Sequence, residues 1–330
     1  MILVTGAAGH IGNVLVRKLL AQGEKVRALI WRGEDTTSIR DLSVEQVEGD
    51  VLDPVSLDAA MRDVETVYHL AGIISIMPGK NPLVWQVNVE GTRNVIKAAR
   101  RARIRRLIYT SSIHAIKRVP HGVEMDESLG FDPNNPYGEY DRSKAVASLE
   151  VQNAAKMDLD AVLVCPTGVI GPYDFRGSEL GEVIRGAAFA KPMFYVEGAY
   201  DFVDVRDVVD GLIAASDKGR RGEAYILGGN KISVRYLIET VREVTGKAFA
   251  SIKVPFSLAE FAARYTPWYY QRTKSKPRFT PYSLEVLQSN SNISHAKASR
   301  ELGYHPRPLL ETMADTVRWF FENRKVKSAA

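Results

Sequence analysis

Apolar and polar positions in the first half of the chain alternate between two periods. Residues 1–5 (MILVT) form a short apolar run ended by glycine, the pattern of a strand buried on both faces. Val14, Leu15, Leu19 and Leu20 then recur at helical spacing and Gly23 stops them, which predicts a helix over 14–22. The same reading predicts strands over 25–30, 44–48, 66–70, 106–110 and 161–164, with helices near 55–61, over 84–101 and over 138–156. Strands separated by helices of this length pair in parallel through right-handed crossovers. The predicted fold class is α/β, a Rossmann-type doubly wound parallel sheet.

The alternation fades after Gly171, where Pro, Gly and aromatic residues break up shorter segments. Residues 1–171 read as the sheet domain, with 199–229 returning to it. Residues 172–198 and 230–330 read as a smaller, mostly C-terminal lobe. The polar tail 325–330 is expected to fray.

Composition excludes several classes. The 330 residues suffice for about two domains, or for one α/β domain with a large addition. Apolar residues make up 45% and charged residues 25%, which rules out collagen-like, coiled-coil and wholly disordered chains. Lys and Arg number 44 against 39 Asp and Glu; the net charge of +5 is too small to imply a nucleic-acid partner. The basic run at 100–106 (RRARIRR) falls where a helix ends, which suits cations, and no aromatics interleave it. One cysteine cannot form an intrachain disulfide or a Cys-based zinc site, and no metal is expected. No apolar run reaches the ~18 residues of a membrane span, and the glycine-broken start lacks the basic region of a signal peptide. The expected location is cytoplasmic, without membrane insertion.

Candidate chemistry begins at the first turn. Thr5-Gly6-Ala7-Ala8-Gly9-His10-Ile11-Gly12 follows the first strand and opens the first helix. Gly6 suits the tight turn, Gly9 the approach of a backbone to a pyrophosphate, and Gly12 close helix–strand packing. The phosphates of a dinucleotide would then meet the positive end of the helix. The second strand ends in Leu29-Ile30-Trp31-Arg32, with Glu34 coming late. Arg32 either grips an extra phosphate or faces solvent; its charge favours NADP over NAD as the cofactor.

Tyr140 and Lys144 lie four residues apart and share one face of a predicted helix. A free phenol titrates near ~10, and bringing it to about 7 takes roughly 4 kcal/mol of preferential phenolate stabilisation. A neighbouring lysine and a cationic nicotinamide can supply much of that. Tyr137 is the poorer candidate, because Asp141 four residues on would oppose its ionisation. The strand at 106–110 runs into Ser111 and Ser112, and ligands bind beyond the C-terminal ends of strands in such sheets. Ser112 is thereby a candidate to hydrogen-bond a substrate oxygen.

These residues resemble the extended short-chain dehydrogenase/reductase family, part of the NAD-dependent epimerase/dehydratase superfamily. The match takes in the TGxxGxxG loop, Gly49–Asp53 (GDVLD), His69–Gly72 (HLAG) and Asn88–Thr92 (NVEGT). It continues through Thr110-Ser111-Ser112, Tyr140 to Lys144, Cys165–Pro172 (CPTGVIGP) and Phe202–Asp207 (FVDVRD). The resemblance implies that Tyr140 is the acid–base group, with Lys144 tuning it and holding the cofactor ribose. Ser112 would polarise the substrate oxygen, and Asn88 would belong to the same group. His10 and Ile11 would count with the glycine loop. Asp50 and Val51 would border the adenine, Leu70, Ala71 and Gly72 the ribose and phosphate path, and Pro166, Thr167, Gly168 and Val169 the nicotinamide. The sheet domain would hold the dinucleotide and the lobe the substrate.

The branch of the family is read from two departures. Nucleotide-sugar epimerases resembling this chain carry an arginine where Tyr200 stands, gripping the pyrophosphate. Arg235 or Arg272 would have to replace it. Sugar dehydratases carry an acidic pair after the catalytic hydroxyl, where this chain has Ile113 and His114. The chain looks more like dihydroflavonol-reductase-like members, which reduce ketones or aldehydes. The expected function is an NAD(P)-dependent oxidoreductase acting on a ketone, aldehyde or secondary alcohol of a small hydrophobic molecule. A nucleotide-sugar 4-epimerase with tightly held NAD, or an NAD(P)-sensing module without chemistry, are the alternatives. His114, Tyr173 and Tyr200 are candidate substrate contacts. The aromatic stretches 265–270 (YTPWYY) and 279–282 (FTPY), with Arg272, Lys274, Lys276 and Arg278 between them, are expected to pack on the core, or else to form an apolar pocket with a basic rim or to rest on a membrane surface. The helices over 84–101 and 138–156 are candidates for a homodimer interface.

Overall fold

In a computed structural model describing residues 1–189, 193–246, 250–275 and 279–323, the first-half alternation becomes a layered sheet. The strands are β1 (Ile2–Thr5), β2 (Val26–Ile30), β3 (Glu45–Glu48), β4 (Thr66–His69), β5 (Arg106–Thr110) and β6 (Ala161–Pro166). Between them run α1 (His10–Ala21), α2 (Pro54–Ala60), α3 (Pro82–Trp85), α4 (Gly91–Ala102) and α5 (Glu139–Met157). With β10 (Ala224–Leu227) they form a seven-stranded parallel sheet in the order β10-β6-β5-β4-β1-β2-β3.

Period-two alternation sends neighbouring strand residues to opposite faces. Leu3, Leu29, Val67, Leu107 and Leu163 face α2, α4 and α5, while Val4, Ala28, Tyr68, Ile108 and Val162 face α1, α7 (Val205–Lys218) and α11 (Ala296–Leu302). The sheet is buried on both sides, as a parallel sheet requires.

The remaining elements lie outside the seven-stranded sheet. A second sheet joins β7 (Gly168–Ile170), β9 (Ala199–Asp204) and β11 (Asn230–Ser233), and β8 (Met193–Tyr195) pairs with β12 (Ser251–Lys253). The helices are α6 (Glu179–Phe189), α8 (Val234–Thr245), α9 (Phe256–Thr273), α10 (Pro281–Gln288) and α12 (Leu309–Glu322). Helices α6, α8 and α12 extend one core layer of the sheet, whereas α9 and α10 enclose a small separate cluster. Lys276, Arg278 and the tail 325–330 lie outside the described residues.

Two predicted elements differ. Helix α1 begins at His10 rather than Val14, because Gly9 caps it before the apolar periodicity starts. The predicted helix over 84–101 is interrupted by a π-helical turn at Gln86–Glu90, the kind of bulge that often marks functional sites. The basic run at its end is spent structurally: Arg100 pairs with Asp158 at 2.7 Å, Arg101 with Asp58 at 2.6 Å and Arg106 with Asp160 at 2.7 Å.

A close backbone approach occurs at Gly12, where a Cβ would stand 2.1 Å from the Gly6 carbonyl oxygen. Gly12→Ala is expected to cost about 2 kcal/mol or more of stability in urea unfolding and to abolish dinucleotide binding. Wild-type stability in that variant would contradict the packing argument.

Candidate active site

Helix α5 starts at Gly138, where a Cβ would press on the Tyr282 ring at 3.3 Å. Its inward face carries Tyr140, Asp141, Ser143, Lys144 and Ser148, all buried. Such a polar face must find partners, and strand ends, a loop, the π-helical turn and α10 supply them. Lys144 Nζ donates to the Thr110 carbonyl at the end of β5 (2.8 Å) and lies 5.0 Å from the centre of the Tyr109 ring. Burial lowers its pKa to about 8. Burial raises Tyr140 to about 12, with a hydrogen bond from Ser112 pulling the other way and Asp141 adding to the rise. In the chain alone, desolvation outweighs the Ser112 hydrogen bond that would lower the phenol pKa.

Ser112 ends the approach from β5 and caps a short turn, its hydroxyl accepting from His114 N–H at 3.2 Å. Asn88 sits in the π-helical turn. Its amide oxygen accepts from Ile73 N–H (2.8 Å), and its amide nitrogen donates to the Ile73 carbonyl (3.0 Å) and Ser143 Oγ (2.9 Å). A further chain runs beneath the glycine loop. Ala71 N–H donates to Thr5 Oγ1 (3.1 Å), which donates to His69 Nδ1 (2.7 Å). His69 Nε2–H then meets Thr92 Oγ1 (3.1 Å), which donates to the Asn88 carbonyl (2.7 Å). Burial lowers the His69 pKa to about 3, so its ring is neutral in this chain.

The residues of the glycine loop fit a dinucleotide. Gly9 caps α1 without a side chain, leaving the first backbone N–H groups of the helix open to an anion. Gly6 adopts φ +68°, and a Cβ there would fall 2.8 Å from Ala71 N and from the Leu70 carbonyl carbon. A Cβ on Gly72 would lie 3.1 Å from Asn88 Oδ1 and 3.4 Å from Lys144 Nζ, so this path passes directly before Lys144. Ile11 is half-buried, and His10 turns its Nε2–H to the Pro172 carbonyl at 3.0 Å. Val51 is buried and exposed Asp50 caps its own turn, accepting from Leu52 N–H at 2.9 Å. Pro166, Thr167, Gly168 and Val169 lead from β6 into β7. Thr167 Oγ1 donates to Asp201 at 2.6 Å, and a Cβ on Gly168 would strike the Tyr200 ring at 2.8 Å. Arg32 is exposed beyond β2, whereas the Glu34 carboxylate accepts from Trp31 N–H (3.2 Å) and from Arg176 (2.7 Å).

Across from Tyr140 lies a polar cluster of buried aromatic groups. The centre of the His114 ring is 6.3 Å from that of Tyr140 and 6.0 Å from that of Tyr200. Tyr282 donates to Asp141 Oδ1 at 2.6 Å, so at 3.3 Å its oxygen accepts from His114 Nδ1–H. That leaves His114 Nε2 to accept from the Tyr200 hydroxyl at 2.8 Å. Arg118 holds Asp141 Oδ2 at 3.1 Å and also pairs with Glu285. Burial lowers the His114 pKa and raises those of Tyr200 and Tyr282, which favours neutral rings throughout.

Tyr140, Lys144, Ser112, Asn88, His114 and Tyr200 thus come together at the strand ends. Tyr173 does not join them. It takes φ +66°, receives Asn13 Nδ2 on its carbonyl at 3.2 Å and packs between Arg17 and Trp319. The pairing of Tyr137 with Asp141 is corrected as well: Tyr137 stacks on Arg118 at 3.7 Å, and Asp141 belongs to Tyr282 and Arg118. The hydrogen-bonding roles of Asp141, Arg118, Tyr282 and the Thr5–His69–Thr92 chain were not foreseen in the sequence reading. Asp141 stood inside the Tyr140–Lys144 spacing as a signal; Tyr282 stood in the aromatic stretch 279–282, with nothing in the sequence to tie it to Asp141.

A dinucleotide cradle beside a buried tyrosine–lysine pair defines the oxidoreductase class of Rossmann folds. Residues 2–228 match the family described as NAD dependent epimerase/dehydratase. The sterol demethylase protein B of Methylococcus capsulatus is 38% identical over 322 residues, covering 97% of this chain and 98% of that protein. A protein of Synechocystis sp. described as a dihydroflavonol 4-reductase is 31% identical, covering 98% and 96%. The crystal structure of gox2253 superposes with a TM-score of 0.85 at 32% identity, covering 99% of both chains. The chain belongs to the NAD dependent epimerase/dehydratase family, within the extended short-chain dehydrogenase/reductases. It is an NAD(P)-dependent oxidoreductase of that type.

Tyr282→Phe removes the donor to a fully buried carboxylate and is expected to cost about 1–3 kcal/mol in urea unfolding. A loss under about 0.5 kcal/mol would show that the cluster is not coupled as described.

Proposed function

We propose that the protein uses NADPH to reduce a ketone or aldehyde on a small hydrophobic substrate, with Tyr140 delivering the proton. The observation that carries this reading is the state of the phenol. Burial favours the protonated form, with Ser112 hydrogen-bonded to it, so at neutral pH it is a proton donor. A bound nicotinamide supplies the hydride. Ser112 and Tyr140 hold the substrate oxygen between two hydroxyls. The Tyr140 proton passes to that oxygen as its negative charge develops. The Lys144 ammonium stabilises the phenolate left behind.

The chain's own residues support each part. Gly6, Gly9, Gly12, Leu70 to Gly72 and Pro166 to Val169 would hold the dinucleotide. Arg32 is exposed, while Glu34 is engaged by Arg176 and a backbone N–H. A cation facing the extra phosphate and an occupied carboxylate favour NADP over NAD. The lobe of residues 172–198 and 230–330 would enclose the substrate, with His114, Tyr200 and Tyr282 as its walls. The arginines near this wall suit a sugar diphosphate poorly. Arg118 is taken by Asp141 and Glu285, and Arg235 pairs on the surface with Glu239 at 2.7 Å. The relatives named for a sterol and a dihydroflavonol point the same way, toward apolar ring systems.

Titration of the purified protein with NADPH and NADH tests the assignment together with Tyr140→Phe. NADPH should bind more tightly. The variant should lose about 10²–10⁴-fold in carbonyl turnover while keeping cofactor affinity within about twofold. Tightly retained NAD, or full turnover by the variant, would overturn the reading.

A further inference from the structure

Helix α9 is turned the opposite way from an ordinary surface helix, which buries its large apolar residues and exposes its polar ones. Phe261 is 59%, Tyr265 60% and Trp268 68% exposed, and Leu258 and Tyr269 are exposed beside them. At ~100° per residue these five positions fall within an arc of about 100°. The inward side is made instead of Ala259 and Ala263, which are buried, and of Thr266 and Tyr270, which are half-buried. The expected packing of the aromatic run on the core is thereby corrected. Only Tyr270 turns in, accepting from Phe279 N–H at 3.2 Å. The β8–β12 ribbon, which meets α9 through Val196 and Val254, also exposes Phe194 and Ile252. Scattered exposed apolar residues mean little, but a continuous stripe marks a contact surface.

We propose that this face docks on the surface of an anionic lipid bilayer. The charge on and around it is complementary to phospholipid headgroups. From Phe261 to Leu284 the sequence carries Arg264, Arg272, Lys274, Lys276 and Arg278 and no Asp or Glu. Arg272 falls within the apolar arc itself and is exposed, as is Lys274 just beyond the helix. Among the described residues of α9, a second copy would bring only Glu260, already paired with Arg264 at 3.5 Å, to meet these cations. Tryptophan and tyrosine with basic neighbours are the side chains that settle at the bilayer interface. Among the described residues no helix is long and apolar enough to cross a membrane, so the contact is peripheral. The inner side of α9 packs on Leu284 of α10, whose Tyr282 bonds Asp141 beside Tyr140. Docking thus sets the substrate side of the lobe near the lipid. Contact of this face with a bilayer does not depend on the proposed carbonyl reduction.

Sedimentation of the full chain with phosphatidylcholine vesicles, with and without about 30% phosphatidylglycerol, tests this. Wild type should bind the anionic vesicles only and release at high salt. The double variant Phe261→Ser/Trp268→Ser should lose about tenfold or more of that binding, with unchanged Tm and cofactor affinity. Three results would each overturn the proposal. Wild type fails to bind either vesicle, the variant binds as well as wild type, or the variant only turns a dimer into a monomer.

Discussion

The Lys144 ammonium is the group around which the site is arranged. It is buried, and its hydrogen bond goes to the Thr110 carbonyl, a dipole rather than a full charge. A buried charge so compensated is poorly stabilised, and its pKa falls to about 8. Neutral pH then still leaves the cation in excess by roughly tenfold. The same burial acts on Tyr140 in the opposite sense and keeps its proton on. One physical cause, removal of water by the packing of α5 on β5 and β6, keeps Tyr140 protonated and brings Lys144 closer to losing its charge. That packing is close because the facing positions are small: Ala145, Ala147 and Ser148 are fully buried, and Ser148 Oγ meets Ser111 Oγ at 2.6 Å.

Parallel pairing places every other component within reach. With the strands parallel, the chain leaves β1, β4, β5 and β6 on one edge of the sheet. The glycine loop, Leu70 to Gly72, Ser112 and Pro166 to Val169 are the segments that follow those four ends. The chain of hydrogen bonds from Ala71 through Thr5, His69 and Thr92 to Asn88 ties the ends of β1 and β4 to α4 and the π-helical turn with side chains of fixed direction. Positioning of this kind lets a site act without rearrangement when its ligand arrives.

The half of the fold that depends on local pattern was legible. Strand β5 runs from Arg106 to Thr110 as its apolar pattern predicts, and the glycine loop, Tyr140, Lys144 and Ser112 meet at the strand ends. What was not legible depends on distant partners. Asp141 was visible but was matched to Tyr137, because spacing along a helix cannot foresee a hydroxyl arriving from α10. Tyr173 stood beside a glycine turn like a pocket residue, yet its ring packs between Arg17 and Trp319 instead of joining the Tyr140 group. In α9 the stripe of aromatics was plain, but its direction was decided by Ala259 and Ala263, whose small side chains allow the opposite face to lie close.

The claim that burial of Lys144 sets the working state of the site is tested most directly by the pH dependence of kcat/KM for the cofactor. That quantity reports ionisations of the free enzyme. Lys144 loses its charge as pH rises through about 8, so kcat/KM should fall with a single proton released near that pH. A profile that stays level to pH ~10, the range of an ordinary lysine, would contradict the account.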